Sequence, residues 1–181
     1  MTPLAPTTTE NNERILSALR FCTHRQARDE TTEYWNRWKD TIEHHVRGAN
    51  VFEIGVGYNG GLYDFSRSCG AKSYVGVDND AEAVRSSREK HPEGTFLHRE
   101  PVHLLHQDTT PLLVVSSITL DQWVIPPNNY SRDLISAIAQ RTPAGGRTIH
   151  WGVCVKHYDE LFQNAGFIVE QDFILRVYRK K

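Results

Sequence analysis

Residues 51–61 place the tightest limit on how this chain can fold. Val51–Gly55 reads as a short buried strand, and it breaks at once into the run Gly55-Val56-Gly57-Tyr58-Asn59-Gly60-Gly61. Leu62–Cys69 then reads as a helix closed by Gly70. A strand that turns through glycines into a helix lets backbone approach a bound nucleoside closely. About 20 residues on, a second strand, Ser73–Asp78, ends in a carboxylate. An acid at that tip can accept hydrogen bonds from both hydroxyls of a ribose. The plain alternative is a tight turn with no ligand. Strand, loop, helix and acid occurring together weigh against it.

The alternation continues downstream. Ala81–Lys90 is predicted helical, with Asp80 as its N-cap and His91-Pro92 at its end. Thr95–His98 is a third strand, and Val102–His106 makes at most one helical turn. Leu112–Ile118, apolar and β-branched, reads as a buried fourth strand. Ser131–Arg141 is helical and leads through Pro143-Ala144-Gly145-Gly146 to a fifth strand, Thr148–Val153. His157–Ala165 is a helix stopped by Gly166, and Phe167–Phe173 and Leu175–Arg179 are two last strands close enough to pair antiparallel. Strands and helices in this order imply an α/β fold, a mostly parallel sheet covered on both faces.

Upstream, residues 1–12 are rich in Pro and Thr and are expected to be a disordered tail. Two helices are expected next, over Glu13–Ala27 and Thr31–Arg47, the second stopped by Gly48 and Asn50. Residues 13–181 are thus read as one domain, with a helical cap over 13–47 and a core over 48–181.

Charge narrows the partners. Lys plus Arg number 21 against 22 Asp plus Glu, so no general field draws the chain to nucleic acid or membrane. The one basic cluster, Arg176, Arg179, Lys180 and Lys181, reads as a solvated end. Cys22, Cys69 and Cys154 lie far apart and form no CxxC, which argues against a disulfide framework or a zinc site. His98, His103 and His106 are close in sequence, but no carboxylate or cysteine set joins them, and no metal is expected. Met1–Thr9 lack a basic-then-apolar signal pattern, and no apolar run nears ~18 residues. The expectation is a cytoplasmic protein without membrane attachment.

The glycine spacing suits a dinucleotide as well as S-adenosylmethionine. Glu53 favours the latter. A carboxylate near the end of a buried strand is costly without a partner, and the ammonium group of S-adenosylmethionine is a good one. NAD loops usually carry an apolar residue at this place. The alternative for Glu53 is an ion pair inside the protein.

Several segments together resemble class I S-adenosylmethionine-dependent methyltransferases. Val51-Phe52-Glu53-Ile54-Gly55-Val56-Gly57 is similar to their first motif, and Tyr74-Val75-Gly76-Val77-Asp78 to their second. Leu112–Ser117 followed by Leu120-Asp121-Gln122-Trp123 is similar to the fourth strand and the segment beyond it. Thr142-Pro143-Ala144-Gly145-Gly146-Arg147 resembles the turn before the fifth strand, and Leu161–Phe167 the late Ala-Gly-Phe segment. The likeness spans from Ala49 to the C-terminus. It implies a Rossmann-like, doubly wound, mostly parallel seven-stranded sheet with an antiparallel C-terminal strand, capped by the N-terminal helices. It also implies S-adenosyl-L-methionine as cosubstrate, held by Glu53, Gly55, Gly57, Asp78, Asn79, Glu100, Pro101 and Ser116. Glu100 takes the place of the acid that commonly reads the adenine amino group, where the family more often has Asp.

Two departures bear on the acceptor. The fourth strand ends in Ser116 and Ser117 instead of a carboxylate, which weighs against the metal-dependent catechol enzymes. Pro126-Pro127-Asn128-Asn129-Tyr130 is superficially similar to the (N/D)PPY motif of amino-group methyltransferases, but its polar residues follow the prolines. Methyl transfer needs nucleophile, methyl and sulfur in line, and proximity can supply much of the rate. The candidate bases are His103, His150, His157 and Asp121, with Asp121 preferred among them and a plain loop cap as its alternative, and a buried core histidine is at least as good a reading of His150. Tyr34, Trp35, Trp38, Trp123 and Tyr130 are candidates for an acceptor site or lid, cation–π contact with a sulfonium included, although a helix stripe that simply packs on the sheet is the favoured reading of Tyr34, Trp35 and Trp38. The expected function is methylation of a small molecule, with a homo-oligomer allowed. Its rivals are another S-adenosylmethionine-consuming reaction (cleavage, cyclisation or aminocarboxypropyl transfer) and a non-catalytic nucleoside-binding subunit.

Overall fold

The computed structural model describes residues 39–117, 129–151, 158–171 and 175–181. The chain divides into two compact units, Met1–Asp40 and Thr41–Lys181, and the elements discussed below belong to the second, apart from the first two residues of the opening helix. The tail, the helix expected over Glu13–Ala27 and most of the following helix lie outside the described residues.

Helix α1 covers residues 39–46 and buries Ile42 and Val46, four apart on one face. Gly48, at φ +71°, ends it and donates its N–H to the Gly70 carbonyl at 2.9 Å. The remaining elements are β1 (Asn50–Ile54), a 3₁₀ turn (Gly57–Asn59), α2 (Tyr63–Ser68), β2 (Ser73–Asp78), α3 (Ala81–Lys90), β3 (Thr95–His98) and α4 (Pro101–Gln107). They continue through β4 (Leu113–Ser117), α5 (Asn129–Arg141), β5 (Arg147–Trp151), α6 (Asp159–Asn164), β6 (Phe167–Gln171) and β7 (Leu175–Lys180).

All seven strands form one sheet in the order β3-β2-β1-β4-β5-β7-β6. Strands β1 to β5 are parallel, and β7 enters antiparallel between β5 and β6. The seven strands and the antiparallel C-terminal pairing match the sequence reading. One element is longer than expected. Val102–His106 was expected to make at most one turn, whereas α4 runs for seven residues. Pro101 opens it at a position that needs no N–H, and Leu105 buries completely against the core, so packing sustains a helix too short to stand alone.

The strand pattern explains which face each side chain meets. On one side Phe52, Ile54, Val77 and Val114 face Leu134, Ile135 and Ile138 of α5 and Phe162 of α6, all nearly inaccessible. Phe162 stacks on Tyr178 of β7, with centroids 3.9 Å apart. Full burial of each such side chain favours folding by roughly 1.5–3 kcal/mol. On the other side Tyr63 of α2, Tyr74 of β2 and Phe96 of β3 meet edge-on or tilted, with centroids 5.3–6.0 Å apart. The order reverses direction between β1 and β4, which opens a crevice beyond the carboxyl ends of those strands, the usual ligand position in doubly wound sheets.

Candidate nucleoside site at the β1–β2 strand tips

The loop after β1 crosses to the tip of β2. Gly55 and Val56 donate their N–H groups to the Val77 carbonyl at 2.8 and 3.3 Å. Gly57, at φ +58°, turns its N–H onto Asp78 Oδ2 at 2.9 Å. The other oxygen, Oδ1, accepts from the Asp80 N–H at 3.0 Å. The glycine loop and the acid at the tip of β2 thus lie side by side, joined by a bond that the sequence did not reveal. Each Asp78 oxygen takes one protein donor, and a carboxylate accepts about four, so acceptor capacity is left for two hydroxyls.

Helix α3 holds the rest of the loop. Asp80 caps it, as expected, by accepting from Glu82 N at 2.9 Å and Ala83 N at 3.4 Å. Ser87 Oγ donates to the Gly57 carbonyl at 2.8 Å and accepts the Gly60 N–H at 3.0 Å. Ser86 Oγ and Lys90 Nζ both reach the Tyr58 carbonyl at 2.9 Å. Ser86, Ser87 and Tyr74 escaped the sequence reading. A trace was visible in Ser87, a polar residue on the same helical face as the buried Ala83 and Val84.

Glu53 is 1% exposed. Its Oε2 accepts the Leu62 N–H at 2.7 Å and the Tyr74 hydroxyl at 2.5 Å. Burial pushes its carboxyl up to about 7, more than those two bonds pull it down. Tyr74, buried beside that carboxylate, holds its own proton well above the usual phenol value. The carboxylate thus sits against the first N–H groups leading into α2. Gly61 makes room for it: a Cβ there would stand 2.5 Å from both carboxylate oxygens.

Ser116 and His150 form a second buried set. Ser116 Oγ lies 2.6 Å from His150 Nδ1, His150 Nε2 lies 2.6 Å from Thr148 Oγ1, and Thr148 Oγ1 donates to the Val114 carbonyl at 2.8 Å. The Thr148 proton is spent on Val114, so Nε2 must carry the ring proton and Nδ1 must accept from Ser116. Desolvation pushes the His150 ring down to about 3, so it is neutral. Fully buried against Phe162, with centroids 5.1 Å apart, His150 fits the core-histidine reading and orients Ser116.

At β3, Glu100 stands at the N-cap position of α4 and Pro101 is buried behind it. The Tyr130 hydroxyl donates to Glu100 Oε1, so the residue expected to read adenine and one expected to line the acceptor site are brought together. Burial and then this bond raise the Tyr130 phenol far above its ordinary value. The Asn79 carbonyl meets His98 Nε2 at 3.1 Å. Asp121, Trp123, Tyr34, Trp35 and Trp38 lie outside the described residues. Among the described residues no group of three or more His, Cys, Asp or Glu is placed to hold a metal ion. Nor is any helix among them long and apolar enough to cross a membrane.

No protein-family model matches the chain, and no curated protein matches it. Solved structures do. Magnesium protoporphyrin IX methyltransferase of Synechocystis, crystallised with S-adenosylmethionine, superposes with a TM-score of 0.63 at 15% identity, covering 98% of this chain and 87% of its own. A TehB-like S-adenosylmethionine-dependent methyltransferase of Corynebacterium glutamicum gives 0.58 at 18% identity, covering 83% and 97%. A ribosomal protein L11 methylase of Lactobacillus delbrueckii gives 0.58 at 15%, covering 81% and 78%. With the strand order and the glycine loop meeting Asp78, these similarities show that the chain has the Rossmann-like fold of the class I S-adenosylmethionine-dependent methyltransferases.

Proposed function

We propose that this protein is an S-adenosylmethionine-dependent methyltransferase acting on a small molecule. The observation that carries the reading is the Glu53 carboxylate seated against the start of α2, bonded to Leu62 N. A dinucleotide fold places its pyrophosphate at that helix start and needs free N–H groups around it. Here a carboxylate already lies there, and Gly55, Val56, Gly57 and Gly60 have given their N–H groups to the protein. A phosphate would meet repulsion and few donors. A nucleoside with a cationic tail meets the opposite: Asp78 with acceptor capacity for a diol, and Glu53 beside the loop to attract an ammonium.

Bound there, S-adenosylmethionine would supply an electrophilic methyl group on a sulfonium. The chain's part is to bind and align. Asp78 would accept the ribose hydroxyls, Glu53, enclosed behind the loop, would act on the ammonium through its charge without touching it, and Glu100 would accept from the adenine amino group once Tyr130 releases it. Asp121 is the candidate proton acceptor, and Trp123 and Tyr130 are candidate acceptor-binding residues. His150, neutral and enclosed, is assigned to positioning. The near balance of 21 basic and 22 acidic residues favours a small acceptor over a polyanion.

The test is incubation with methyl-labelled S-adenosylmethionine and, separately, the low-molecular-mass and macromolecular fractions of a cell extract. Label passing to the small-molecule fraction with S-adenosylhomocysteine as coproduct is expected. Methylthioadenosine as the product would replace methyl transfer with a different reaction at the same site. Label confined to RNA or protein would overturn the small-molecule acceptor.

A further inference from the structure

Tyr58 follows Gly57 and is the one large apolar side chain strongly exposed among the described residues, at 55%. Its hydroxyl nevertheless has a fixed partner, Asp80 Oδ2, at 2.6 Å. Asp80 is also the residue whose N–H binds Asp78 Oδ1, while Gly57 N binds Asp78 Oδ2. The contacts therefore close a ring: from Gly57 to Asp78, on to the Asp80 backbone, through the Asp80 side chain to the Tyr58 hydroxyl, and back along the chain to Gly57. Tyr58 is the outer side of that ring, beside the Asp78 carboxylate.

Its backbone cannot easily swing away. The Tyr58 carbonyl is held by Ser86 and Lys90, and the flanking Gly57 and Asn59 carbonyls meet Ser87 at 2.8 Å and His91 at 3.1 Å. The side chain alone is free to adjust, and the bond to Asp80 sets its resting position. That same carboxylate caps α3, so the anchor belongs to a helix start and not to a mobile chain. An exposed aromatic ring with a pinned backbone and a pinned hydroxyl is a preformed wall, because the ordering cost of placing it has been met before any ligand arrives.

We propose that Tyr58 is a positioning residue that walls the ribose end of the nucleoside site, and that its hydrogen bond to Asp80 holds the wall in place. This rests on the reading of Asp78 as the ribose acceptor. A diol bonded to the remaining lone pairs of Asp78 must lie alongside the Tyr58 ring, which then covers the sugar's carbon face and excludes water from the Asp78 bonds. Stronger bonds at a drier carboxylate follow, and so does slower escape of the ligand.

The test uses S-adenosylhomocysteine and adenosine as ligands, with Tyr58→Ala, Tyr58→Phe and Asp80→Asn. Asparagine caps a helix about as well as aspartate, so Asp80→Asn spares α3. For Tyr58→Ala the dissociation constant of both ligands should rise about tenfold, mainly through faster release, with the melting temperature nearly unchanged. Tyr58→Phe removes the bond and should weaken binding by roughly two- to tenfold, whereas Asp80→Asn, whose side-chain amide can donate to the Tyr58 hydroxyl in place of the lost oxygen, should stay within about twofold of wild type. Wild-type affinity and release rate in Tyr58→Ala would overturn the proposal and leave the nucleoside reading intact, as would a loss for S-adenosylhomocysteine with none for adenosine. Absence of binding by the wild-type protein would overturn both.

Discussion

Replacing Glu53 by Gln should change how stability depends on pH, and the size of the change follows from where the carboxyl sits. In the unfolded chain the group ionises at its ordinary value of 4.5; in the fold, burial pushes it up to about 7. Between those values the native state holds a proton that the unfolded state has released. Stability contributed here is therefore present at pH 4.5 and lost as pH rises toward 7. Each pH unit between them is worth about 1.36 kcal/mol, so the loss approaches about 3 kcal/mol. Gln keeps an oxygen for Leu62 N and the Tyr74 hydroxyl but cannot ionise. Urea unfolding of both proteins at steps from pH 4.5 to 8 isolates the effect, because every other titrating group is shared. The stability gap should move in favour of Glu53→Gln by about 3 kcal/mol across that range, whatever its value at pH 4.5. Parallel curves would refute the assignment and mean that the Glu53 carboxylate is satisfied in the fold as well as in water.

Gly61→Ala should destabilise the domain by at least about 2 kcal/mol in urea unfolding, because φ is +55° and the new Cβ would meet both Glu53 oxygens. A cost within about 0.5 kcal/mol of zero would mean that the loop and Glu53 are not packed as described. Nitrogen-15 NMR of the imidazole should show His150 as the neutral Nε2–H form down to about pH 4, given a ring pushed down to about 3. Since the unfolded ring protonates near 6.5, this histidine supports the fold above that pH and withdraws support as pH falls toward 3. An Nδ1–H form, or titration near 6.5, would contradict the Ser116–His150–Thr148 order.

The sequence was most legible where local chemistry sets the boundaries. Ser73–Asp78, Ala81–Lys90 and Thr95–His98 fall where the sequence reading places them, because Asp80 caps the helix and His91-Pro92 ends it. The glycine turn after one strand and the acid at the tip of the next were legible as separate features, but the bond from Gly57 to Asp78 was not. Length was misread at α4, where Leu105 finds a core that local periodicity does not reveal. The partners of Glu53 lie 9 and 21 residues away, on a helix start and a neighbouring strand. Periodicity tells which face Tyr74 occupies, but not that its hydroxyl reaches a carboxylate on β1. The Tyr58–Asp80 bond spans 22 residues between two loops, where no repeat exists to read.

The most direct measurement of the central claim is a calorimetric titration of the purified wild-type protein with S-adenosylhomocysteine, S-adenosylmethionine and NAD, repeated on Asp78→Ala. Both thioether-derived nucleosides should bind saturably and NAD should not. Asp78→Ala should lower affinity roughly ten- to a hundredfold, since charge-assisted bonds to the ribose are worth about 1.5–3 kcal/mol. Tight binding of NAD with no response to either nucleoside would contradict the assignment of the Gly57–Asp78 crevice.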